Sequence, residues 1–247
     1  MIMKTAKISS LSLLFAIALF FVLACKKEST EPILVEYAKV LLFHGAPTVD
    51  GVDMYIDGDK KTTNSLLYGT GSGYIQAVVT AHKLQTKNMK GTVIDSTNLS
   101  VKKDVSYSYY VYKDNDATGA IRTIATTDVL TAPAAGKAKI RIVNLIPDIP
   151  NGTAIDIQSV APGGVPSYAN DFTNVGFRGS RDFYEVPKGT YDLKVKFYTT
   201  TNPVIPYSST TNITFAEGKI YTLVTHGFKS KTDTDPQAVK LSIIKNN

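Results

Sequence analysis

The sequence predicts an all-β protein, with two tandem β-sandwich domains that follow an N-terminal signal peptide. Three observations lead to this prediction. The composition is rich in strand-forming residues, with 14 tyrosines. Short alternating runs of apolar and polar residues are separated by turn signals. An internal repeat extends through most of the chain after residue 37.

The N-terminus has the pattern of an export signal. Lys4 and Lys7 precede an apolar run at residues 11–23 (LSLLFAIALFFVL), which is short for a membrane span but fits a signal-peptide core. The run ends in Val22-Leu23-Ala24-Cys25, which resembles the lipobox of bacterial lipoproteins. In that motif the small residue admits the signal peptidase, and the cysteine thiol accepts diacylglycerol. We expect cleavage before Cys25, although a plain signal peptide with a chance cysteine remains the alternative.

Residues 25–37 are predicted to form the lipidated cysteine and a short polar tether. Cys25 is the single cysteine of the chain, so the folded domains must be stable without internal disulfides. Lys27-Glu28 partly resembles the charged stretch that directs some bacterial lipoproteins to the cell surface. The predicted location is the cell envelope, lipid-anchored to the outer membrane. Surface-exposed and periplasm-facing orientations both stay open.

The repeat divides the remainder of the chain. Residues 38–44 (AKVLLFH) match residues 138–144 (AKIRIVN), and Pro47 and Pro147 follow at the same offset. Further on, Tyr68 matches Phe177 and Tyr107 matches Tyr221. We therefore predict a first sandwich at residues 38–130, a linker at 131–137 and a second sandwich at 138–247.

Alternation within each repeat predicts the strands. Residues 191–197 (YDLKVKF) place Tyr191, Leu193, Val195 and Phe197 on one face. Residues 52–57 alternate in the same way and end at the hairpin signal Asp57-Gly58. Short strands at this spacing are typical of β-sandwiches.

These residues carry a family resemblance. Residues 44–58 (HGAPTVDGVDMYIDG) and 183–195 (FYEVPKGTYDLKV) resemble the domain of unknown function 4397, a small immunoglobulin-like sandwich found, often in pairs, in bacterial envelope lipoproteins. The first repeat departs from the second motif, since it has residues 78–81 (VVTA) where the other has PKGT. The resemblance implies a fold and a location but no activity.

One loop resembles a calcium site. Asp114, Asp116 and Thr118 place side-chain oxygens at positions one, three and five of a calcium loop, and Gly119 supplies the turn at position six. Position twelve is Ala125 instead of the usual glutamate. The alternative is a solvated hairpin loop, so weak calcium binding is the one cofactor we consider.

No catalytic set is recognisable in the sequence. His44, His226 and Asp53 lack the close spacings of a zinc site, and nucleophile and metalloprotease motifs are not found. We expect a protein that is not an enzyme. Tyr107 and Tyr109 are predicted to share one sheet face, and Tyr110 and Tyr112 the other. One pair is expected in a core; the other forms either a platform for sugars or an interdomain contact.

Charge and anchoring suggest the function class. The net charge is +6, but the lysines form no basic stripe, so nucleic acid is not an expected partner. The predicted function is a membrane-anchored, non-catalytic binding or adhesion module whose partner is a glycan or an envelope protein. The alternative is a periplasmic structural accessory subunit of an envelope complex.

Overall fold

The computed structural model describes residues 34–81, 83–149, 153–160, 174–198 and 206–247. The chain divides into two units, Met1–Leu34 and Val35–Asn247. The second unit is the compact body described below. Within the described residues, seventeen strands form four sheets and the regular structure is entirely β, which confirms the predicted fold class. No helix in this part of the chain has the length and apolar character needed to cross a membrane.

The first half of the body contains two sheets. Sheet A has the order β5-β1-β8-β9 and consists of β1 (Tyr37–His44), β5 (Ile75–Val78), β8 (Ser106–Lys113) and β9 (Ile121–Asp128). Sheet B has the order β3-β2-β6-β7, with β4 also paired to β2, and consists of β2 (Gly51–Ile56), β3 (Asp59–Lys60), β4 (Leu66–Leu67), β6 (Lys83–Asn88) and β7 (Val93–Asn98).

The second half repeats this arrangement. Sheet C has the order β13-β10-β16-β17 and consists of β10 (Lys137–Asn144), β13 (Tyr184–Pro187), β16 (Ile220–His226) and β17 (Lys240–Lys245). Sheet D has the order β12-β11-β14-β15 and consists of β11 (Ala154–Val160), β12 (Val175–Gly176), β14 (Gly189–Tyr198) and β15 (Pro206–Phe215). Backbone hydrogen bonds recur at the matched positions: Gly69 N–H donates to His44 O, and Arg178 N–H donates to Asn144 O.

Each pair of sheets encloses an apolar core. Between sheets A and B lie residues such as Val40, Leu42, Met54, Leu84 and Tyr109. Between sheets C and D lie residues such as Ile140, Ile142, Ile155, Leu193 and Leu223. Alternate residues of β1 and β10 point into these cores, as the period of two along a strand requires.

A third core joins the two halves. Leu41, Phe43, Tyr110 and Tyr112 of sheet A pack against Val143, Leu145 and Val224 of the second half. Sheets A and C are therefore covered on both faces, and the layers follow the order B, A, C, D. This double burial explains why residues 40–44 of β1 (VLLFH) are continuously buried instead of alternating with polar residues.

Strand direction gives the body two ends. β1 is parallel to β8, and β10 is parallel to β16. We call the end where these four strands begin the near end and the end where they finish the far end. The far ends of the two halves lie together, because the Gln237 side chain, in the segment after β16, donates a hydrogen bond to Pro47 O, in the loop after β1. At the opposite end, Lys139 near the start of β10 reaches Thr131 after β9.

Candidate functional site

The predicted lipidation site lies outside the described residues. This holds for Val22, Leu23 and Ala24 of the proposed recognition sequence and for Cys25 itself. Their roles stay predictions from the sequence.

Loops of both halves meet at the far end. Lys113 and the loop after β8 line a cleft of about 390 Å³ together with Pro147, Asp148 and Phe228 of the second half. Asp148 anchors its own side of the cleft, since its carboxylate accepts hydrogen bonds from the backbone N–H groups of Lys229 (2.6 Å) and Ser230 (2.8 Å). We call this opening the shared cleft.

The loop with the calcium-like sequence forms one wall of the shared cleft. Asp114 Oδ2 lies 2.7 Å from Arg122 Nε, and its Oδ1 accepts from Asn115 N–H at 2.8 Å. Asp116 Oδ1 accepts from the Thr118 hydroxyl at 2.6 Å and from Gly119 N–H at 2.8 Å. The Thr118 hydroxyl bond is the main cause of the lowered pKa of Asp116. Asp116 and Thr118 are thus engaged within the loop, and Asp114 is engaged by the loop and by Arg122 of β9.

A second cleft opens at the far end of the first half. Its volume is about 250 Å³, and its walls come from the loop after β1 and the turn between β6 and β7. Polar side chains from Asp50, Asn88 and Lys90 face it beside Val49 and Met89. Met89 is 61% exposed, so an apolar group stands at the rim of a polar cleft. We call this the lateral cleft.

Both histidines considered as ligands are buried: His44 lies within the first half, and His226 lies where the two halves meet, beside Phe43. His44 Nε2 bonds Val49 O at 2.9 Å, and His226 Nε2 bonds the Ser242 hydroxyl at 2.9 Å. Burial lowers the pKa of His44 to about 4 and that of His226 to about 3, so both rings are neutral near pH 7. Tyr68 packs edge-on against His226 with ring centroids 4.8 Å apart. These contacts give the histidines a structural role.

Asp53 does not join them. Its carboxylate accepts from the Thr62 hydroxyl at 3.0 Å and pairs with Lys60 at 3.1 Å, within sheet B. In the described part of the chain no group of three or more His, Cys, Asp or Glu side chains is placed to hold a metal ion.

A buried ion pair crosses the junction. Arg141 Nη2 of β10 lies 2.6 Å from Asp128 Oδ1 of β9, and the two side chains are 2% and 0% exposed. Arg141 also donates to the Tyr110 hydroxyl at 2.7 Å and, through Nε, to Thr222 Oγ1 at 3.0 Å. Its guanidinium stacks on Phe183, with the carbon 4.4 Å from the ring centroid. Because these partners come from both sheets, Arg141 fixes the position of sheet C relative to sheet A.

Asp128 is held from its other side as well. Its Oδ2 accepts from the Ser108 hydroxyl at 2.6 Å and from the Tyr74 hydroxyl. Asn246 Nδ2 of the second half donates to that same Tyr74 oxygen at 3.0 Å. The polar network around Asp128 therefore contains side chains from both halves of the body.

Sequence reasoning missed this network, although a signal was present. The repeat matches Leu41 with Arg141, so a charged residue stands in a strand whose counterpart is apolar. The predicted assignment of the tyrosines to the two faces of the strand is correct, but the sequence did not determine what each face contacts. Tyr109 is buried in the first core, while Tyr110 and Tyr112 are buried in the third core and offer no exposed platform for sugars.

Fold and junction define the class: an all-β body of four stacked sheets, in which two sandwich-like halves share a buried interface. Residues 38–158 match the family model described as Domain of unknown function (DUF4397). That part of the chain belongs to the DUF4397 family. The match covers the first half and continues through β10 into β11.

Comparison with known proteins adds no activity. No curated protein matches this chain. Among solved structures, the human-specific toxin intermedilysin is similar at a TM-score of 0.27 and 9% identity, over 76% of this chain. The chain spans 32% of that toxin's length.

Proposed function

We propose that the protein is a lipid-anchored protein of the bacterial cell envelope and acts as a rigid, non-catalytic binding module. The observation that carries this proposal is the polarity of the body. β1 begins at Tyr37, so the chain enters the body at the near end, whereas the shared and lateral clefts open at the far end.

Chain length keeps the anchor close to the near end. Nine residues separate Cys25 from Val35. Even fully extended, this tether spans only about 35 Å. A lipid on Cys25 would therefore hold the near end close to the membrane and leave the far-end loops free to meet a partner.

Rigidity supports a binding role. The third core and the Arg141–Asp128 pair lock the two halves together, so that loops from both halves keep a fixed spacing around the shared cleft. A preformed surface loses less conformational entropy on binding than a mobile one. The polar walls with an apolar rim at Met89 suit a glycan or a polar protein loop.

Labelling of intact cells tests the proposal. Lys90→Cys places a thiol at the exposed far-end turn, and Cys25 is the single native cysteine, consumed by lipid in this proposal. A membrane-impermeant maleimide that labels Lys90→Cys on intact cells, but not a periplasmic control protein, supports an outward binding or adhesion module. Labelling only after the outer membrane is opened supports the alternative, a periplasmic accessory subunit of an envelope complex.

A further inference from the structure

The near end has a surface of its own, distinct from the clefts. Three apolar side chains lie exposed along the near-end edge of sheet A: Tyr37 of β1, its partner Val78 of β5, and Val129 just after β9. Val35 is exposed immediately before β1. Exposed apolar groups grouped at one end of a sheet commonly mark an interaction surface.

Lysines surround these apolar groups in the first half. Lys39 lies on β1 two residues after Tyr37, and Lys102 and Lys103 lie in the turn that leads into β8. All three are exposed. Glu36 and Asp104 are the nearby carboxylates, and Glu36 is paired with Lys103 at 3.0 Å.

The second half adds further lysines to the same end. Lys137 and Lys139 begin β10, Lys188 lies between β13 and β14, Lys219 precedes β16, and Lys245 ends β17. Glu185 and Glu217 are the opposing carboxylates, and Glu217 pairs with Lys188 at 2.5 Å. Asp57, in the turn after β2, and Lys83, at the start of β6, contribute one charge of each sign. Cations therefore outnumber anions across the near end.

We propose that the near end docks on an anionic lipid surface. Lysines that stand near acidic headgroups are attracted electrostatically, while exposed apolar side chains enter the interfacial layer beneath those headgroups. Tyr37 is well suited to this boundary, because its ring is apolar and its hydroxyl is polar. The inference rests on the proposed lipid anchor only for bringing the protein to the membrane.

The far end differs in charge and provides an internal reference. Met89, Leu67 and Val93 are also exposed there, but charges of both signs lie close together at that end: Asp50 and Lys90 both line the lateral cleft, and Arg122 pairs with Asp114 and Asp116. The excess of lysines would therefore draw the near end to an anionic surface more strongly than the far end, where the charges are more evenly matched. Docking would thus set the orientation of the body as well as its position.

Tryptophan fluorescence can read this orientation, because the native chain has no tryptophan. Val129→Trp and Met89→Trp place single probes at positions of matched exposure, 60% and 61%. The cell-processed protein is mixed with vesicles of brominated lipid, either zwitterionic or rich in phosphatidylglycerol. We expect strong quenching of Val129→Trp on anionic vesicles and little quenching of Met89→Trp.

Charge reversal tests the lysines. In the Val129→Trp protein, Lys102→Glu is expected to lower quenching on anionic vesicles by roughly half or more, and high salt should act in the same direction. Lys90→Glu, at the far end, is the matched control and should have no effect. Equal quenching of both probes, or none at Val129→Trp on anionic vesicles, overturns the docking proposal. Sedimentation with zwitterionic vesicles reports the lipid anchor separately, so failure of the anchor is distinguishable from failure of docking.

Discussion

Arg141 and Asp128 form an ion pair at 2.6 Å, buried between sheets that belong to different halves of the body. Neither half alone surrounds this pair: Asp128 ends the last strand of sheet A, and Arg141 lies in the middle of β10. The junction is therefore a specific interface in which polar groups fix the register and apolar groups supply the burial.

Breaking this pair should destabilise the whole body. Arg141→Leu leaves the Asp128 carboxylate buried without its cation, and we expect a loss of about 3–5 kcal/mol in the free energy of unfolding. The chain itself suggests the control. The repeat has Leu41 at the position of Arg141, and the pairing of Tyr107 with Thr127 and of Tyr221 with Lys245 places Asn246 at the position of Asp128. The double variant Arg141→Leu/Asp128→Asn should regain most of the loss in denaturant titrations. An unchanged unfolding midpoint for Arg141→Leu alone would contradict the structure.

The buried histidines should make stability depend on pH. In the folded protein the pKa of His44 is about 4 and that of His226 is about 3, whereas the ordinary value is 6.5. Below pH 6.5, and down to these folded-state values, the unfolded chain therefore binds more protons than the folded protein. Stability is then complete above pH 6.5 and falls as the pH is lowered. By about pH 5 the loss is about 2 kcal/mol for each histidine. Urea unfolding across this range measures it, and His226→Gln should remove about half of the slope. A flat profile in the native protein would refute the burial of both rings.

Substitutions at two glycines distinguish the cost of backbone strain from the cost of a steric clash. Gly227 has φ +101° and a Cβ there would lie 2.2 Å from Ala238 O, whereas Gly58 has φ +92° with open space around it. Gly58→Ala should cost about 1 kcal/mol from the left-handed backbone alone. Gly227→Ala should cost about 3 kcal/mol or more, since the loop after β16 must move as well. Thermal melts compare the two; equal losses would show that the loop is not packed as described.

The acidic loop should not need calcium. The carboxylates of Asp114 and Asp116 already accept hydrogen bonds from the loop and pair with Arg122, and a cation would have to displace these contacts. We expect no change in melting temperature and no heat of binding up to millimolar calcium. Saturable heat that Asp116→Ala abolishes would instead establish the site that the sequence pattern suggests.

The sequence predicted the strands well because the period of two is local. The alternation at residues 191–197 corresponds to β14, and the predicted turn at Asp57-Gly58 follows β2. The junction could not be predicted in the same way, because it depends on which sheet faces are covered. Tyr110 and Tyr112 have the same sequence pattern whether they meet sugars, solvent or another sheet. Likewise, the calcium-like spacing does not reveal that Arg122, from the next strand, forms an ion pair with the Asp114 carboxylate.

The proposed lipid on Cys25 would bring the near end to a membrane and direct the far-end clefts away from that membrane. The most direct test is the mass of the N-terminal peptide of the protein purified from membranes of its native cell type, alongside detergent partitioning of the native chain and of Cys25→Ser. We expect a chain that begins at Cys25, carries diacylglycerol on sulfur and enters the detergent phase only when Cys25 is present. A free thiol at Cys25, or a Cys25→Ser protein that is still cleaved and partitions like the native one, would contradict it.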